Sequence, residues 1–328
     1  MSDFSVIIPT YRRAAQLDTC LEGFSRLNYP RNRFEVIVVD DGSPEGPDAV
    51  IAQWRGCFDI TLVRQANAGP AAARNTGSRH ARYVHLAFID DDCIPRPDWL
   101  SGLRRALHSA PDDLIGGCTL NALPQNAFSS ASQALVTHLT DYFDGRDGRT
   151  RLFTSNNMAL RTDRFRAVGG FDTRFPRAAG EDREFCDRWV SQQRGTTFAP
   201  NAVVMHAHRL TLTTFWRQHF EYGRGAASFR HARATRQGGA VRVEPLRFYL
   251  RLLKFPFKDG VTVEALRTAA LVVLSQMANA IGFLSSRRDG LKDAEAGVGV
   301  RRETPPALGR LDEVEQLPMV RDNTSRRS

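Results

Sequence analysis

The chain has 328 residues, 42% hydrophobic and 25% charged, with 45 Lys and Arg against 36 Asp and Glu for a net charge of +9. These fractions are those of a globular protein, which excludes a wholly disordered or fibrous one, and the length fits one large domain or two. Five cysteines, Cys20, Cys57, Cys93, Cys118 and Cys186, with no C-x-x-C pair, argue against a disulfide framework and a zinc knuckle and fit a reducing cytoplasm.

No basic segment precedes an apolar one at the N-terminus, so no secretory signal is expected. Residues 4–9 form a short apolar, β-branched run that predicts a strand, and 34–39 form another. Between them Leu17, Leu21, Phe24 and Leu27 recur at helical spacing. Residues 60–63 and 84–89 are further strands, flanking an Ala-rich helix over about 70–82. Strands alternating with helices imply right-handed crossovers and a mostly parallel sheet covered on both faces.

After Asp92 the rhythm changes. Trp99, Leu103 and Leu107 predict a helix, 114–120 a strand, and Leu135, Leu139 and Tyr142 a helix. Residues 149–160 read as extended, Phe185 and Trp189 as one helix face, and 202–208 as a strand. Gln237-Gly238-Gly239 is a joint before amphipathic and apolar helices over 245–284. The longest apolar stretch, 268–284, falls short of the ~20 residues of a spanning helix, so it reads as a buried or membrane-surface helix.

The excess charge is local. Residues 205–258 hold eleven Arg and Lys against Glu221 and Glu244, which accounts for the whole +9. The segment 286–328 is nearly balanced, contains Pro305-Pro306, lacks periodicity and reads as disordered.

An open parallel sheet binds ligands at its carboxyl edge, where the crossover helices leave a crevice. Three apolar runs end there in polar residues: Pro9-Thr10-Tyr11-Arg12, Asp40-Asp41-Gly42-Ser43 and Asp90-Asp91-Asp92. No glycine occurs in residues 9–14, so the G-x-G-x-x-G of a dinucleotide fold is missing. Three adjacent carboxylates repel one another unless a cation, basic side chains or water compensate, and a hard divalent ion bridging substrate phosphates fits that need. An acidic, solvated loop is the plainer alternative. Gly69-Pro70 opens a helix whose free N–H groups suit an anion, and Arg74 within it can pair with a phosphate or with the acidic triplet.

Taken together, Val6-Ile7-Ile8-Pro9-Thr10-Tyr11, Val38-Val39-Asp40-Asp41-Gly42-Ser43, Asn67 to Gly77 with Ala73-Arg74-Asn75, and Phe88-Ile89-Asp90-Asp91-Asp92 resemble glycosyltransferase family 2 in order and spacing. The resemblance extends over about the first 210 residues. It implies an α/β GT-A fold, a nucleotide-diphosphate sugar donor, Mg²⁺ or Mn²⁺, and inversion at the anomeric carbon. It places Pro9, Thr10 and Tyr11 at the nucleobase, Arg12 within the nucleotide-sugar site, Asp40 or Asp41 at base or ribose, and Arg74 beside the diphosphate. In the triplet, Asp90 and Asp92 match the family's D-x-D as metal ligands, with Asp91 touching ribose or metal. The last Asp is the usual direct ligand.

In the second half, Thr154-Ser155-Asn156-Asn157-Met158 and Val168-Gly169-Gly170-Phe171-Asp172 resemble the segment leading to the family's catalytic carboxylate, with Asn156 and Asn157 on the acceptor side. Gly180-Glu181-Asp182 matches its Glu-Asp motif, which makes Asp182 the general base and Glu181 its orienter or a contact to acceptor hydroxyls. The chemistry asks for the same division: one carboxylate group for the cation that neutralises the departing diphosphate, another opposite it to take the acceptor's proton. A helix start is the alternative for Glu181-Asp182. His206 and His208 share one strand face; His206 matches a metal or diphosphate ligand of the family, and no further ligand with zinc spacing lies near.

The implied organisation is a GT-A domain over 1–235, with a nucleotide-sugar half to about 120 and an acceptor half over 121–235. A C-terminal helical extension follows over 236–285, and a tail over 286–328. The extension docks on the core, pairs two subunits in a homodimer, or sits peripherally on the inner face of the plasma membrane. The acceptor stays open between a sugar, a lipid-linked sugar and a small molecule, within cell-envelope polysaccharide or glycoconjugate synthesis. The basic, aromatic segment after His208 lacks any nucleic-acid motif, which disfavours nucleic acid as a partner. A nucleotidyltransferase of related fold and a non-catalytic sugar-nucleotide or polysaccharide-binding protein are the alternatives; the first lacks a Gly-rich, Lys-containing loop after strand one.

Overall fold

In a computed structural model, residues 4–142, 152–175, 179–238, 245–258 and 260–295 are described. The first half alternates strand and helix as the apolar pattern demands: β1 (Phe4–Thr10), α1 (Ala14–Ser25), β2 (Phe34–Asp40), α2 (Asp48–Trp54), β3 (Asp59–Arg64), α3 (Pro70–His80) and β4 (His85–Phe88). Every residue of β1 and β2 is buried. Their side chains alternate between two cores: Phe4, Val6, Ile8, Phe34, Val36 and Val38 pack with α1, while Ile7, Ile37 and Val39 pack with α3. A strand covered on both faces needs a continuous apolar run, which is why these two strands are plain in the sequence.

The second half adds β5 (Cys93–Pro95), α4 (Trp99–Ser109), β6 (Leu114–Asn121), α5 (Ala127–Tyr142), β7 (Met158–Arg161), α6 (Thr162–Val168), α7 (Glu181–Ser191) and β8 (Thr196–His206). One eight-stranded sheet results, in the order β3-β2-β1-β4-β7-β6-β8-β5. β1 is parallel to both β2 and β4, so the strand order reverses between β1 and β4 and opens a crevice at their carboxyl ends. The sheet is mostly parallel, as expected, with antiparallel additions: β7 runs antiparallel to β4 and β6, and β5 antiparallel to β8. The nucleotide-sugar and acceptor halves expected on either side of residue 120 therefore share one sheet, joined through β7. Of the extended stretch expected over 149–160, only its end belongs to a strand, and residues 149–151 lie outside the described residues.

Asn157 joins the two halves. Its side chain donates to the carbonyls of Cys118 and Ala202, each at 2.9 Å, and accepts from the Trp99 indole at 2.9 Å. With that amide fully engaged and 1% exposed, Asn157 is a structural strut between α4, β6 and β8. This corrects its expected acceptor-side position.

The basic, aromatic segment is one long helix, α8 (Leu212–Gln237), capped by Thr211 and ended by Gly238 at φ +64°. Residues 239–244, part of the expected joint, lie outside the described residues. Then come α9 (Leu246–Lys254) and α10 (Val263–Glu295). α10 runs ten residues into the segment expected to be disordered; 296–328 lie outside the described residues. The apolar helix is also longer than the 268–284 run implied. Val263–Ser286 is long and apolar enough to cross a membrane by length and composition, with mean hydropathy 1.5 and only 22% of its most apolar stretch buried.

α10 lies along α8 with backbones in direct contact. A Cβ on Gly223 would overlap the Asn279 carbonyl oxygen, and one on Gly282 would overlap that of Phe220. Two glycines, one from each helix, thus permit the approach. Gly282→Leu is expected to lower stability by about 1–3 kcal/mol, read as a lower urea midpoint with unchanged slope. An unchanged midpoint would show that this crossing does not hold the extension to the core.

Candidate functional site

The crevice between β1 and β4 collects charge. The hydroxyl of Thr10, at the end of β1, donates to Asp91 at 2.8 Å. Arg13, just before α1, reaches Asp91 at 2.9 Å and Asp92 at 2.7 Å. β5 pairs with β8 so that Cys93 faces His206, and the Ala207 amide donates to the Asp92 carbonyl at 2.8 Å. This short antiparallel pair sets His206 Nε2 at 3.3 Å from Asp92 Oδ1. His208 stacks on His206 with ring centres 4.7 Å apart.

A second carboxylate pair faces the first. Gly180, at φ +93°, turns the chain into α7, and Glu181 and Asp182 occupy its first turn. The helix start and the expected Glu-Asp motif are thus the same feature, with the helix dipole favouring negative charge there. Asp182 accepts the Arg183 amide at 2.7 Å. Arg74, 2% exposed, spans the two groups, reaching Asp90 at 2.6 Å and Glu181 at 3.1 Å. The next residue, Asn75, exchanges two hydrogen bonds of 2.8 Å with the backbone of Phe171, tying α3 to the Gly169-Gly170 turn.

The environment splits the carboxylates. Burial pushes Asp91 up to about 7 despite Arg13 and Thr10. Burial acts the same way on Asp92, but the bond and attraction to His206, with Arg13, outweigh it and hold Asp92 well below the usual carboxylate range. Burial also raises Glu181, to about 7, with Asp182 adding to it, and raises Asp182, with Asp90 adding to it; Arg74 only partly offsets either. Burial works against the Arg74 charge, yet Asp90 and Glu181 more than compensate and raise its pKa. Likewise burial opposes the His206 charge, and Asp92 overcomes it. Neighbouring groups pushed in opposite directions mark a site able to hold a cation and take a proton at once.

A cavity of about 1070 Å³ takes in Arg13, Arg74, Asp90, Asp92, Asn156, Glu181, Asp182 and His206. Eight residues from separate elements therefore face one space. Pro9, Thr10, Tyr11, Arg12, Asp40, Asp41 and Asp91 do not line it. Tyr11 is 40% exposed on the same sheet edge, and Asp40 is buried, accepting the Ser43 amide at 3.1 Å. Asp41 differs from expectation: it accepts from the amides of Ala68 and Gly69 at 2.9 and 2.8 Å and from Gln65 at 2.6 Å, so it fastens the loop before α3. Asp91, 2% exposed, is engaged by Arg13 and Thr10 behind the cavity wall. Arg12 points to the surface over Tyr11, at φ +57°, and its neighbour Arg13 fills the charged position instead. The signal for Arg13 was in the sequence: a basic doublet on the same strand edge as an acidic triplet.

The donor atoms of Asp92, Cys93 and His206 lie within 4.8 Å of one another. Burial drives the Cys93 thiol pKa well up, which leaves a neutral thiol. The usable set is a carboxylate and an imidazole, which fits Mg²⁺ or Mn²⁺ completed by substrate oxygens better than a thiolate-bound metal. Asp90 is committed to Arg74 and stands outside this group, so between the outer aspartates the geometry favours Asp92.

Residues 5–167 match the family model described as glycosyl transferase family 2. The chain is 27% identical over 223 residues to glycosyltransferase AglE of Haloferax volcanii, covering 67% of this chain and 72% of that protein. It is 30% identical over 217 residues to the hyaluronan synthase of Pasteurella multocida, covering 55% of this chain but 22% of the synthase. Among solved structures it is similar to the mannosyltransferase PcManGT of Pyrobaculum calidifontis in complex with GDP-Man and Mn²⁺, with a TM-score of 0.57 at 21% identity over 90% of this chain and 80% of that one. The likeness to that structure is one of fold, and the chain has the GT-A fold.

Removing Arg74 leaves Asp90 and Glu181 uncompensated. Arg74→Met is expected to cost about 3–5 kcal/mol at pH 8. The loss shrinks toward pH 5.5, because Glu181 takes up a proton as pH falls and no longer needs the guanidinium. Urea melts at both pH values test this; an equal loss at both would show that charge compensation is not the role of Arg74.

Proposed function

This chain belongs to glycosyltransferase family 2, and from that premise we propose that it is an inverting, metal-dependent enzyme that moves a sugar from a nucleotide-diphosphate donor to an acceptor hydroxyl. One observation carries the reading: two carboxylate sets, Asp90 with Asp92 and Glu181 with Asp182, line one cavity and are linked by one buried guanidinium. Asp92 and His206 would hold Mg²⁺ or Mn²⁺. Such an ion supplies positive charge against the diphosphate as it departs. The manganese and GDP-Man of the similar mannosyltransferase support that donor class.

In the proposed reaction the acceptor oxygen bonds to the anomeric carbon while the bond from that carbon to the diphosphate oxygen breaks. The nucleoside diphosphate leaves with the electron pair, and Asp182 takes the acceptor proton. Burial raises the basicity of Asp182, and the amide of Arg183 fixes one of its oxygens. Glu181, fastened to Arg74, orients that carboxylate and the acceptor. Arg74 keeps a buried Nε–H without an acceptor among the described residues, which is available to a diphosphate oxygen. The nucleobase would rest on the sheet edge at Tyr11 and Asp40.

The reading extends to the cytoplasmic face of an anionic membrane, in cell-envelope synthesis. Val263, Leu266, Val273, Met277, Ile281 and Leu284 form an exposed stripe at spacings of three, four and seven along α10. Leu250 and Leu253 of α9 are also exposed, beside Arg247, Arg251 and Lys254. An apolar stripe with bases at its border and no charge over 268–286 complements anionic lipid better than a second copy of itself.

The donor site is tested by thermal shift with UDP, GDP, dTDP and CDP. One of them is expected to stabilise the protein with Mn²⁺ or Mg²⁺ but not with EDTA. Asp182→Asn should keep that stabilisation and lower transfer by about 10²–10⁴-fold; full transfer would remove Asp182 as base, and stabilisation without any transfer in the wild type would favour a binding protein. The membrane reading predicts flotation with phosphatidylglycerol vesicles and its loss in Val273→Glu/Met277→Glu. A stable dimer that ignores vesicles would overturn it.

A further inference from the structure

The cavity is larger and more apolar than a sugar acceptor needs. From the carboxylates it continues between α5, α9 and α10, where its wall includes Leu135, Leu139, Phe248, Leu252, Phe283 and Leu284, with Gln276 and Asn279 among the polar residues beside them. Its volume of about 1070 Å³ stands at the upper end for small-molecule sites, which run to about 1,000 Å³. Sugar hydroxyls set against such a wall would lose water without gaining partners, which is unfavourable. Hydrocarbon would gain there, by about 0.8 kcal/mol for each methylene removed from water.

Two features define the two ends of this arm. Arg230 of α8 lies 5.0 Å over the Phe283 ring, and both line the cavity, so a guanidinium marks the junction between its polar and apolar parts. At the far end, Ala280 and Leu284 line the cavity and also lie on the exposed face of α10. The arm therefore opens on the apolar stripe. The cavity thus combines a proton acceptor, a cation and an apolar wall that reaches an exposed apolar face, the three elements that an amphiphile's reactive hydroxyl, anionic link and hydrocarbon tail call for.

We propose that the acceptor is a phosphate-bearing lipid whose tail lies between α5, α9 and α10, with its phosphate at Arg230 and its hydroxyl-bearing head at Glu181 and Asp182. This rests on the glycosyltransferase reading and adds the class of acceptor to it. It also gives the exposed stripe a purpose at the site, since a lipid tail can pass from a bilayer into the arm without crossing water.

The test uses the full chain with n-alkyl phosphates of four, eight and twelve carbons and n-dodecyl β-glucoside, below their micellar concentrations. Affinity for the alkyl phosphates is expected to rise with chain length by roughly fourfold per methylene. Leu139→Glu and Phe283→Glu should flatten that dependence, and Leu139→Met should keep it. Arg230→Gln should weaken dodecyl phosphate about tenfold and leave dodecyl glucoside unchanged. Stabilisation by the nucleoside diphosphate with Mn²⁺, measured on every variant, reports folding and the donor site. Its loss in the wild type counts against the glycosyltransferase reading, whereas its retention isolates the acceptor question. No chain-length dependence, or one that both Glu variants leave intact, overturns the lipid tail. Equal loss of phosphate and glucoside in Arg230→Gln overturns the anionic link.

Discussion

Five carboxylates, Asp90, Asp91, Asp92, Glu181 and Asp182, converge on one region, and two arginines and a histidine keep them there. Without compensation such a cluster would take up protons or open to water. Arg13 holds Asp91 and Asp92 from the side of β1, and Arg74 holds Asp90 and Glu181 from inside α3. The strand order, with β1 between β2 and β4, places both arginines against the acidic strand end. The charge balance and the topology are thus one constraint seen twice.

That constraint explains the positions of more distant parts. α7 must present Glu181 and Asp182 to Arg74, and its far side carries two more buried carboxylates, Glu184 and Asp187. Arg236, in the last turn of α8, reaches them at 2.7 and 2.6 Å, while Arg188 reaches Glu184 at 2.9 Å. The long basic helix therefore braces the carboxylate helix from outside, which accounts for part of the local positive excess. At its middle, Gly223 lets α10 approach, and with α5 and α9 this encloses the apolar arm. A helix that looks separable in sequence thus forms one wall of the site.

The legible parts were those whose physics is local. β1, β2 and α3 followed from apolar runs and a Gly69-Pro70 start, and Arg74, Asp90, Asp92, Asp182 and His206 stood where strand ends and helix starts expose them. β5 escaped because three residues, Cys93-Ile94-Pro95, carry no period, yet this strand aligns Asp92 with His206. α8 escaped because its 26 residues spread their contacts around the helix, against α5, α7 and α10, and so show no single apolar face. Asn157 and Asp41 were misassigned for a common reason. A polar residue in a motif can be held there for its hydrogen bonds to backbone, and only the partners distinguish that from contact with a ligand.

The opposed shifts within the cluster bear on how one site does two jobs. Asp92 is stabilised as an anion by His206 and Arg13, whereas Asp182 is made basic by burial beside Glu181. The same burial acts on both; the nearest cation decides the outcome. Arg74 stands between the two sets and neutralises one member of each, Asp90 and Glu181; in the proposed reaction Asp92 with His206 then holds the cation and Asp182 takes the proton. A cluster of like charges becomes a division of labour because its cations are placed unequally. In the proposed reaction selectivity for the acceptor then falls to the wall between α5, α9 and α10, where shape and apolar area act beside the Arg230 guanidinium.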